Sequence, residues 1–370
     1  MKLVATLLVR DEEEVLRAHL DYHLAQGVAL VVAMDNGSRD ATPEILREYA
    51  ARGVVHRLPG AEPGRYLQGP WVTEMARVAA RDHGADWVLN LDADEFWWPR
   101  EGTLPDVLAA VPERYGVVNA ARVDFDPVPA CGPVFWESMT VRRRLLRTPL
   151  GHRGLPRVAH RGRADVEVSP GNHLASGTDL SLAPPLELIE SLHFPTRSFE
   201  QLERKVHAHA TSIRATPGLK ADVGEETLSL EDLRAGGRLG EYFDRQAIGD
   251  QDRREGVASG ELVEDVRLRD FLAAGTHRRP PQAAVTQALR ERFLDVEEWL
   301  GPQVADRDLL ADRLDAARRD TVRLQEALEA TDASLRRERD EHFETAEALR
   351  LLRQSKAVRL ARRVKRLLPE

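Results

Sequence analysis

The 370-residue sequence contains one cysteine and no continuous apolar run approaching the roughly 18 residues of a membrane-spanning helix. A single cysteine, Cys131, excludes an internal disulfide framework and a cysteine-rich zinc site. Basic residues are not in excess, because the formal net charge is −8, and this argues against a nucleic-acid partner. The N-terminal apolar segment stops at Arg10 without a small-residue cleavage site. We interpret it as a buried strand and expect a cytoplasmic protein.

Residues 2–98 alternate short apolar segments with amphipathic segments of helix length. The apolar segments are KLVATLLV, ALVVAMD, VVHRLP and ADWVLNLD. This alternation predicts an α/β fold with a mostly parallel open sheet flanked by helices. Ligands of such sheets sit outside the carboxyl ends of the strands. Polar clusters at residues 10–12, 35–38 and 92–94 follow three of these strands and should face one crevice.

Residues 88–98 read VLNLDADEFWW, so three carboxylates interrupt a segment that otherwise looks buried. Unpaired buried charge is expensive, and the cluster should therefore have a cationic partner. Two aspartates separated by one residue at a strand end can hold a divalent cation, since hard cations prefer oxygen ligands. The alternative interpretation is that Asp92 and Asp94 only cap the following turn. The spacing does not fit an EF-hand loop.

The order and spacing of three segments carry a further signal: VRDEEEVLRAHLDYHLAQGV, MDNGSRDAT and WVLNLDADEF. Together they resemble the nucleotide-sugar half of a GT-A fold glycosyltransferase, near glycosyltransferase family 2. The resemblance implies transfer of a sugar from a nucleoside diphosphate donor to a glycan, lipid-linked or protein acceptor, as in cell envelope polysaccharide biosynthesis, with Mn²⁺ or Mg²⁺. The sequence departs from the family at residues 11–12, where Asp-Glu replaces the more usual Asn-Glu.

The resemblance also implies roles for individual residues of the DXD motif and the donor site. Asp94 is the expected direct metal ligand, and Asp92 is an indirect one that binds through water or contacts the ribose. Asp35 is expected at the nucleobase and Asp11 also at the donor. For Asp35 the alternative is plain turn chemistry, which Asn-Gly pairs commonly supply.

A late segment, LIESLHFPTRSFEQLERKV, brings a histidine to the end of an apolar strand and follows it with cations. The resemblance makes His193 the last metal ligand, with His173 as its rival. Arg197 or Lys205 would then face the diphosphate. The alternative is a packed histidine and a surface arginine. Three further histidines are interpreted as ordinary solvated polar residues: His160, His207 and His209.

The catalytic base is not specified by the sequence. An inverting transferase needs a carboxylate near the acceptor hydroxyl, and a retaining one need not have it there. Asp124, Asp126 and Glu137 lie in the segment that should supply the acceptor side, and nothing in the sequence chooses among them. The donor sugar, the acceptor and the stereochemical course stay open.

The chain is expected to contain three regions. Residues 1–215 form the GT-A domain, residues 216–305 a helical peripheral region, and residues 306–370 a long helix or weak coiled coil. A heptad begins at Leu314 and gives homo-oligomerisation as an alternative to a single helix. Residues 350–370 combine many cations with an apolar stripe, which is typical either of a helix on the anionic inner face of a membrane or of a solvated helix end.

Two other functions fit parts of this pattern. A nucleotidyltransferase shares a similar sheet, but it would need a basic Gly-rich loop after the first strand, where this chain is acidic. A catalytically inactive GT-A scaffold could bind partners through the C-terminal helix. The intact Asp92, Asp94 and His193 argue against the scaffold.

Overall fold

The computed structural model describes most of the first three hundred residues. The chain separates into two compact units, Met1–Ala305 and Asp306–Glu370. The predicted heptad, coiled coil and basic tail belong to the second unit and lie outside the described residues. Among the helices that are described, none has the length and apolar character needed to cross a bilayer. The described ranges are residues 1–60, 64–65, 67–132, 134–143, 155–184, 186–219, 224–275 and 282–300.

Strands and helices alternate through the first part of the chain and become more irregular later. The first part contains β1 (Leu3–Val9), α1 (Glu13–Ala25), β2 (Leu30–Asp35), α2 (Thr42–Ala51), β3 (Val55–Arg57), α3 (Gln68–Arg81), β4 (Trp87–Leu91), β5 (Glu95–Pro99) and α4 (Leu104–Ala110). The later part contains β6 (Val117–Asp124), α5 (Phe135–Ser138), β7 (Val141–Arg143), β8 (Arg157–Arg161), β9 (Glu167–Val168), a 3₁₀ turn (Pro170–Asn172), β10 (Ala175–Ser176), β11 (Ile189–His193), α6 (Phe199–Arg214), α7 (Glu225–Ala235), α8 (Leu239–Gln246), α9 (Asp250–Ser259), β12 (Leu262–Glu264), α10 (Arg267–Ala273) and α11 (Ala283–Leu300).

The central sheet has eight strands in the order β3-β2-β1-β4-β8-β6-β11-β5. The four strands β3, β2, β1 and β4 run parallel to one another. β8 is antiparallel to both of its neighbours, β4 and β6, whereas β6 and β11 are parallel and β5 closes the edge antiparallel to β11. The predicted α/β fold with a mostly parallel open sheet flanked by helices is therefore confirmed.

Helices cover both faces of this sheet because its strands are apolar on both sides. β1 shows the pattern directly, since Leu7 packs in one core cluster and Val4 in the other. The first cluster includes Leu16 of α1 and Ile45 of α2, and the second includes Met75 of α3. Burial on two faces fixes the position of each strand end. The polar residues that follow the strands are consequently held on a rigid frame.

The register of β11 brings the late part of the chain to the end of β4. His193 pairs with Asp124 of β6 on one side and with Glu95 of β5 on the other. The next amide, that of Phe194, donates to the Asp94 carbonyl at 2.9 Å. α6 then begins after Ser198, whose Oγ accepts from the Gln201 amide at 3.1 Å. This connection places α6 beside the carboxyl end of the sheet.

Candidate active site

A cleft of about 190 Å³ opens at the carboxyl ends of β1, β2 and β4. Each of the three polar clusters that follow these strands contributes to its wall, as the strand pattern predicts. α6 supplies the opposite wall, with side chains spaced three and four residues apart on one helical face. The lining includes Arg10, Glu12, Asn36, Asp92, Asp94, His193, Lys205, His209 and Ser212.

Asp94 stands at the centre of the charged part of this cleft. The Lys205 Nζ donates to Asp94 Oδ2 at 2.7 Å, and His193 Nε2 lies 3.8 Å from the same oxygen. Burial would raise the pKa of the Asp94 carboxyl, but the neighbouring charges of Lys205 and His193 outweigh it and hold that pKa well below its ordinary value. Asp94 is therefore ionised at neutral pH and attracts cations.

His193 is held in place from its other side by Asp124. Its Nδ1 lies 2.7 Å from Asp124 Oδ1, and Arg122 donates to Asp124 Oδ2 at 3.0 Å. Burial would raise the pKa of the Asp124 carboxyl, yet the hydrogen bond from His193 and the charge of Arg122 lower it. An ionised Asp124 accepts from Nδ1–H and holds the ring with its Nε2 edge toward Asp94. Asp124 thus orients His193, and its carboxylate is already engaged.

Asp94 and His193 are side chains of the kinds that can ligate a divalent cation. A ligating histidine commonly donates its second ring N–H to a carboxylate, as His193 does to Asp124. Within the described ranges no group of three or more His, Cys, Asp or Glu side chains is arranged to hold a metal ion. Two protein ligands, a carboxylate and an imidazole, would leave the other positions of a divalent cation such as Mn²⁺ open for substrate phosphates and water.

Asp92 and Glu95 turn away from Lys205 toward a buried arginine. The Arg157 guanidinium of β8 contacts Glu95 Oε1 at 2.6 Å and Asp92 Oδ2 at 3.5 Å. Asn172, which has a left-handed φ of 59°, donates from Nδ2 to Asp92 Oδ1 at 3.0 Å. Burial raises the pKa of Asp92, and it raises the pKa of Glu95 to about 7, although Arg157 opposes both shifts. The cationic partner expected for the carboxylate cluster therefore includes Arg157 as well as Lys205.

Arg197 is not part of the cleft wall, contrary to one of the two expectations for the diphosphate contact. Its side chain is buried, its guanidinium pairs with Glu12, and it lies over the Phe135 ring at 5.6 Å from the centroid. Burial raises the pKa of the Glu12 carboxyl against the lowering effect of Arg197. The pair instead ties the end of β1 to the start of α6. Lys205, the other expected cation, does line the cleft.

Asp35 and Asp11 are mostly engaged by the turn that follows β2. Asp35 Oδ1 accepts from both the amide and the Oγ of Ser38, at 3.1 and 2.5 Å. Asp11 has a left-handed φ of 53°, and its Oδ1 accepts from the Arg39 amide at 2.6 Å. The larger cleft is lined by Asn36 rather than by Asp35, and Asp11 borders a smaller adjoining pocket. These contacts match the turn-chemistry alternative for Asp35.

The remaining predicted candidates lie outside the lining of the cleft. His173 Nδ1 contacts Arg157 at 2.9 Å and the Pro156 carbonyl at 3.1 Å, and burial lowers its pKa to about 4. Asp126 lies 3.5 Å from Arg143, and burial raises the pKa of this carboxyl. Glu137 is exposed on the short helix α5. These contacts do not identify Asp126 or Glu137 as the catalytic base.

Several cleft residues escaped the sequence interpretation. Arg10 donates to Ser212 Oγ at 3.0 Å, and its Nε is buried without a hydrogen-bond partner among the described residues. His209 lines the cleft, and burial lowers its pKa to about 4, so it is not an ordinary solvated histidine. His160 is fully buried, whereas His207 fits the solvated expectation better because its side chain is 59% exposed. Arg10 had a sequence signal, since it directly follows the first apolar strand.

Comparisons with known proteins give structural neighbours only. No family model and no curated protein matches the sequence. S. aureus TarS 1-349 in complex with UDP-GlcNAc is 15% identical, with 80% of this chain and 92% of that chain covered and a TM-score of 0.34. The longer S. aureus TarS chain is 16% identical with a TM-score of 0.29, and the match covers 62% of this chain but 42% of that one.

A second neighbour is glucosyl-3-phosphoglycerate synthase from Mycobacterium tuberculosis, in complex with Mn²⁺, UDP and glucosyl-3-phosphoglycerate. It is 17% identical, with 57% of this chain and 78% of that chain covered and a TM-score of 0.29. Similarity at this level assigns no residue and no substrate to this chain. The chemistry of the cleft is therefore considered from its own contacts.

Proposed function

We propose that this chain is a glycosyltransferase that binds a nucleoside diphosphate sugar in the cleft at the end of β4. The observation that supports this most directly is the grouping of Asp94, His193, Lys205 and Arg10 around one cleft of about 190 Å³. A carboxylate and a histidine nitrogen can hold a cation there, and two basic side chains face the same space. A diphosphate carries negative charge that both kinds of group recognise.

Arg10 and Lys205 would bind the diphosphate from opposite walls of the cleft. Arg10 comes from the end of β1, and its position is fixed by Ser212 of α6. When the bond between the sugar and the diphosphate breaks, negative charge grows on the leaving oxygen. Cations already positioned at that oxygen stabilise the transition state more than the ground state.

Asp94 and His193 would hold Mn²⁺ or Mg²⁺ beside the same diphosphate. When bound, the ion supplies Lewis-acid stabilisation of the leaving group. Asp124 contacts Nδ1 of His193 and would keep the Nε2 edge of the ring toward the ion. Asp92 would contact the ribose, and its position in the cleft wall next to Asp94 supports this role. The acceptor is a glycan, a lipid-linked sugar or a protein.

The test is a donor screen by release of nucleoside diphosphate, with and without Mn²⁺, on the full chain. We expect Asp94→Asn to reduce turnover by about 10³-fold or more while the fold survives, because the leaving-group charge loses its compensation. Asp232→Asn is the matched control, since that side chain is 81% exposed on α7. Near-normal turnover of Asp94→Asn in the same Mn²⁺ buffer would overturn the assignment.

A further inference from the structure

We propose that Lys205 competes with the divalent cation for Asp94, and that its release from Asp94 couples metal binding to donor binding. This inference rests on the proposed function, because it assigns a purpose to a contact within the same cleft. In the ligand-free protein Lys205 neutralises Asp94. On donor binding the ammonium moves from the carboxylate to the diphosphate and frees Asp94 for the metal.

The competition follows from the sharing of one oxygen atom. Lys205 Nζ lies 2.7 Å from Asp94 Oδ2, and Nε2 of His193 lies 3.8 Å from that same oxygen. A metal held by Asp94 and His193 would have to occupy the region between these two ligands. An ammonium and a divalent cation repel each other strongly at such separations in a partly buried site. Lys205 must therefore leave Asp94 Oδ2 when a metal arrives.

Lys205 differs from the other cations around the carboxylates in its freedom to move. Its side chain is 30% exposed, whereas those of Arg157 and Arg197 are 6% and 3% exposed. A lysine ammonium is a point charge on a flexible stem and has no fork geometry to preserve. Lys205 borders both the main cleft and the smaller adjoining pocket, and its helical neighbour Ala208 leaves room beside it. It can thus turn to a diphosphate without a change in the backbone.

Release of Lys205 from Asp94 requires another anionic partner for its ammonium. Glu12 lines the same two pockets, but its carboxylate is already paired with Arg197. A metal that binds alone therefore displaces Lys205 without offering it a free carboxylate. With a donor, the diphosphate provides the partner.

Reciprocity between the two ligands is the measurable consequence. A nucleoside diphosphate should raise the affinity for Mn²⁺ by the same factor by which Mn²⁺ raises the affinity for the nucleotide. In the wild type we expect this factor to be at least about tenfold, within the usual range of couplings between sites. Removal of the ammonium should then have opposite effects on the two ligands when each is measured alone.

The experiment measures binding of MnCl₂ to the full chain by the electron paramagnetic resonance signal of free Mn²⁺, and binding of UDP or GDP by calorimetry. In Lys205→Met we expect Mn²⁺ alone to bind about fivefold or more tightly than in the wild type, and the nucleotide alone to bind about tenfold more weakly. Lys205→Arg keeps the charge and should keep the weak binding of Mn²⁺. Arg17→Met is the control, because that exposed side chain on α1 pairs with Glu48 and lines neither pocket.

Unchanged or weaker Mn²⁺ binding in folded Lys205→Met would overturn the inference. Should that variant not fold, equal Mn²⁺ affinity of the wild type with and without nucleotide would overturn it equally. The Mn²⁺ measurement without nucleotide does not depend on the donor. Tighter Mn²⁺ binding in Lys205→Met together with no affinity of any variant for UDP or GDP would therefore support the competition and reject the donor class in the proposed function.

Discussion

Asp94 and Glu95 are adjacent in sequence, yet their side chains enter different surroundings. Glu95 and its partner Arg157 are 0% and 6% exposed, so this ion pair is fixed in the interior. Lys205, the partner of Asp94, remains partly exposed and borders the cleft. A buried pair can be satisfied only by its own members, whereas a pair at a cleft can exchange one member for a ligand. The segment DADE thus combines a fixed pair with an exchangeable one.

Breaking the fixed pair should have the largest effect on stability. We expect Arg157→Met to lower the free energy of unfolding by about 3–5 kcal/mol at pH 8.5, because the buried carboxylates of Glu95 and Asp92 would lose their cation. Urea denaturation followed by circular dichroism measures this. Arg204→Met, a change at a mostly exposed side chain, should alter the same quantity by about 0.5 kcal/mol or less.

The pH dependence of that loss sharpens the assignment to Glu95. In the folded wild type Glu95 has a pKa of about 7, and without Arg157 that pKa would lie higher still. Below it Glu95 is neutral in both folded proteins, so its charge adds nothing to the difference between them. The difference between Arg157→Met and the wild type should therefore grow as the pH rises from 6 to 8.5. A constant difference would point to lost packing instead.

Among the residues around the exchangeable pair, substitution of His193 should have the largest effect on Mn²⁺ binding. His193→Ala should weaken Mn²⁺ binding in the presence of nucleoside diphosphate by about 100-fold, and Asp124→Asn by about tenfold, since the first removes a ligand and the second only its orientation. His173→Ala should change it by about threefold or less, because His173 contacts Arg157 and not Asp94. Calorimetric titration decides the ranking. A larger loss in His173→Ala would move the ligand to that residue.

Arg10→Met should have the smallest effect of the series. We expect the affinity for nucleoside diphosphate to fall about tenfold, the amount typical of one lost charge-assisted hydrogen bond, with little change in Mn²⁺ affinity. Arg17→Met serves as control, because Arg17 pairs with Glu48 on the exposed surface. Equal nucleotide affinities in the two variants would remove Arg10 from the donor site.

The surroundings of the exchangeable pair could largely be predicted from the sequence, whereas the fixed pair could not. Asp94 follows one apolar strand and His193 ends another, so the rule for open parallel sheets predicted that they lie at one edge. Arg157 and Glu95 are 62 positions apart, and they meet because β8 inserts antiparallel between β4 and β6, with Leu89 opposite Ala159. No local periodicity specifies that insertion.

Smaller differences between the predicted and the observed site also arise from contacts that no local pattern specifies. No local pattern indicated that Glu12 would pair with Arg197, because the two residues are 185 positions apart and meet only where the end of β1 approaches the start of α6. The pattern around Asp35 was ambiguous for another reason. A carboxylate before Asn-Gly-Ser can serve its own turn or a ligand, and only the hydrogen bonds from Ser38 distinguish the two.

The face of α6 that lines the cleft makes this helix sensitive to its own length. Lys205, His209 and Ser212 reach the cleft because they are spaced four and three residues apart. A single residue inserted between Lys205 and Ala208 would rotate everything beyond it by about 100°. His209 and Ser212 would then leave the cleft, and Arg10 would lose the hydroxyl that holds it. We therefore expect an insertion or deletion in α6 to disrupt the cleft even at a solvent-facing position, where a single substitution would leave the cleft intact.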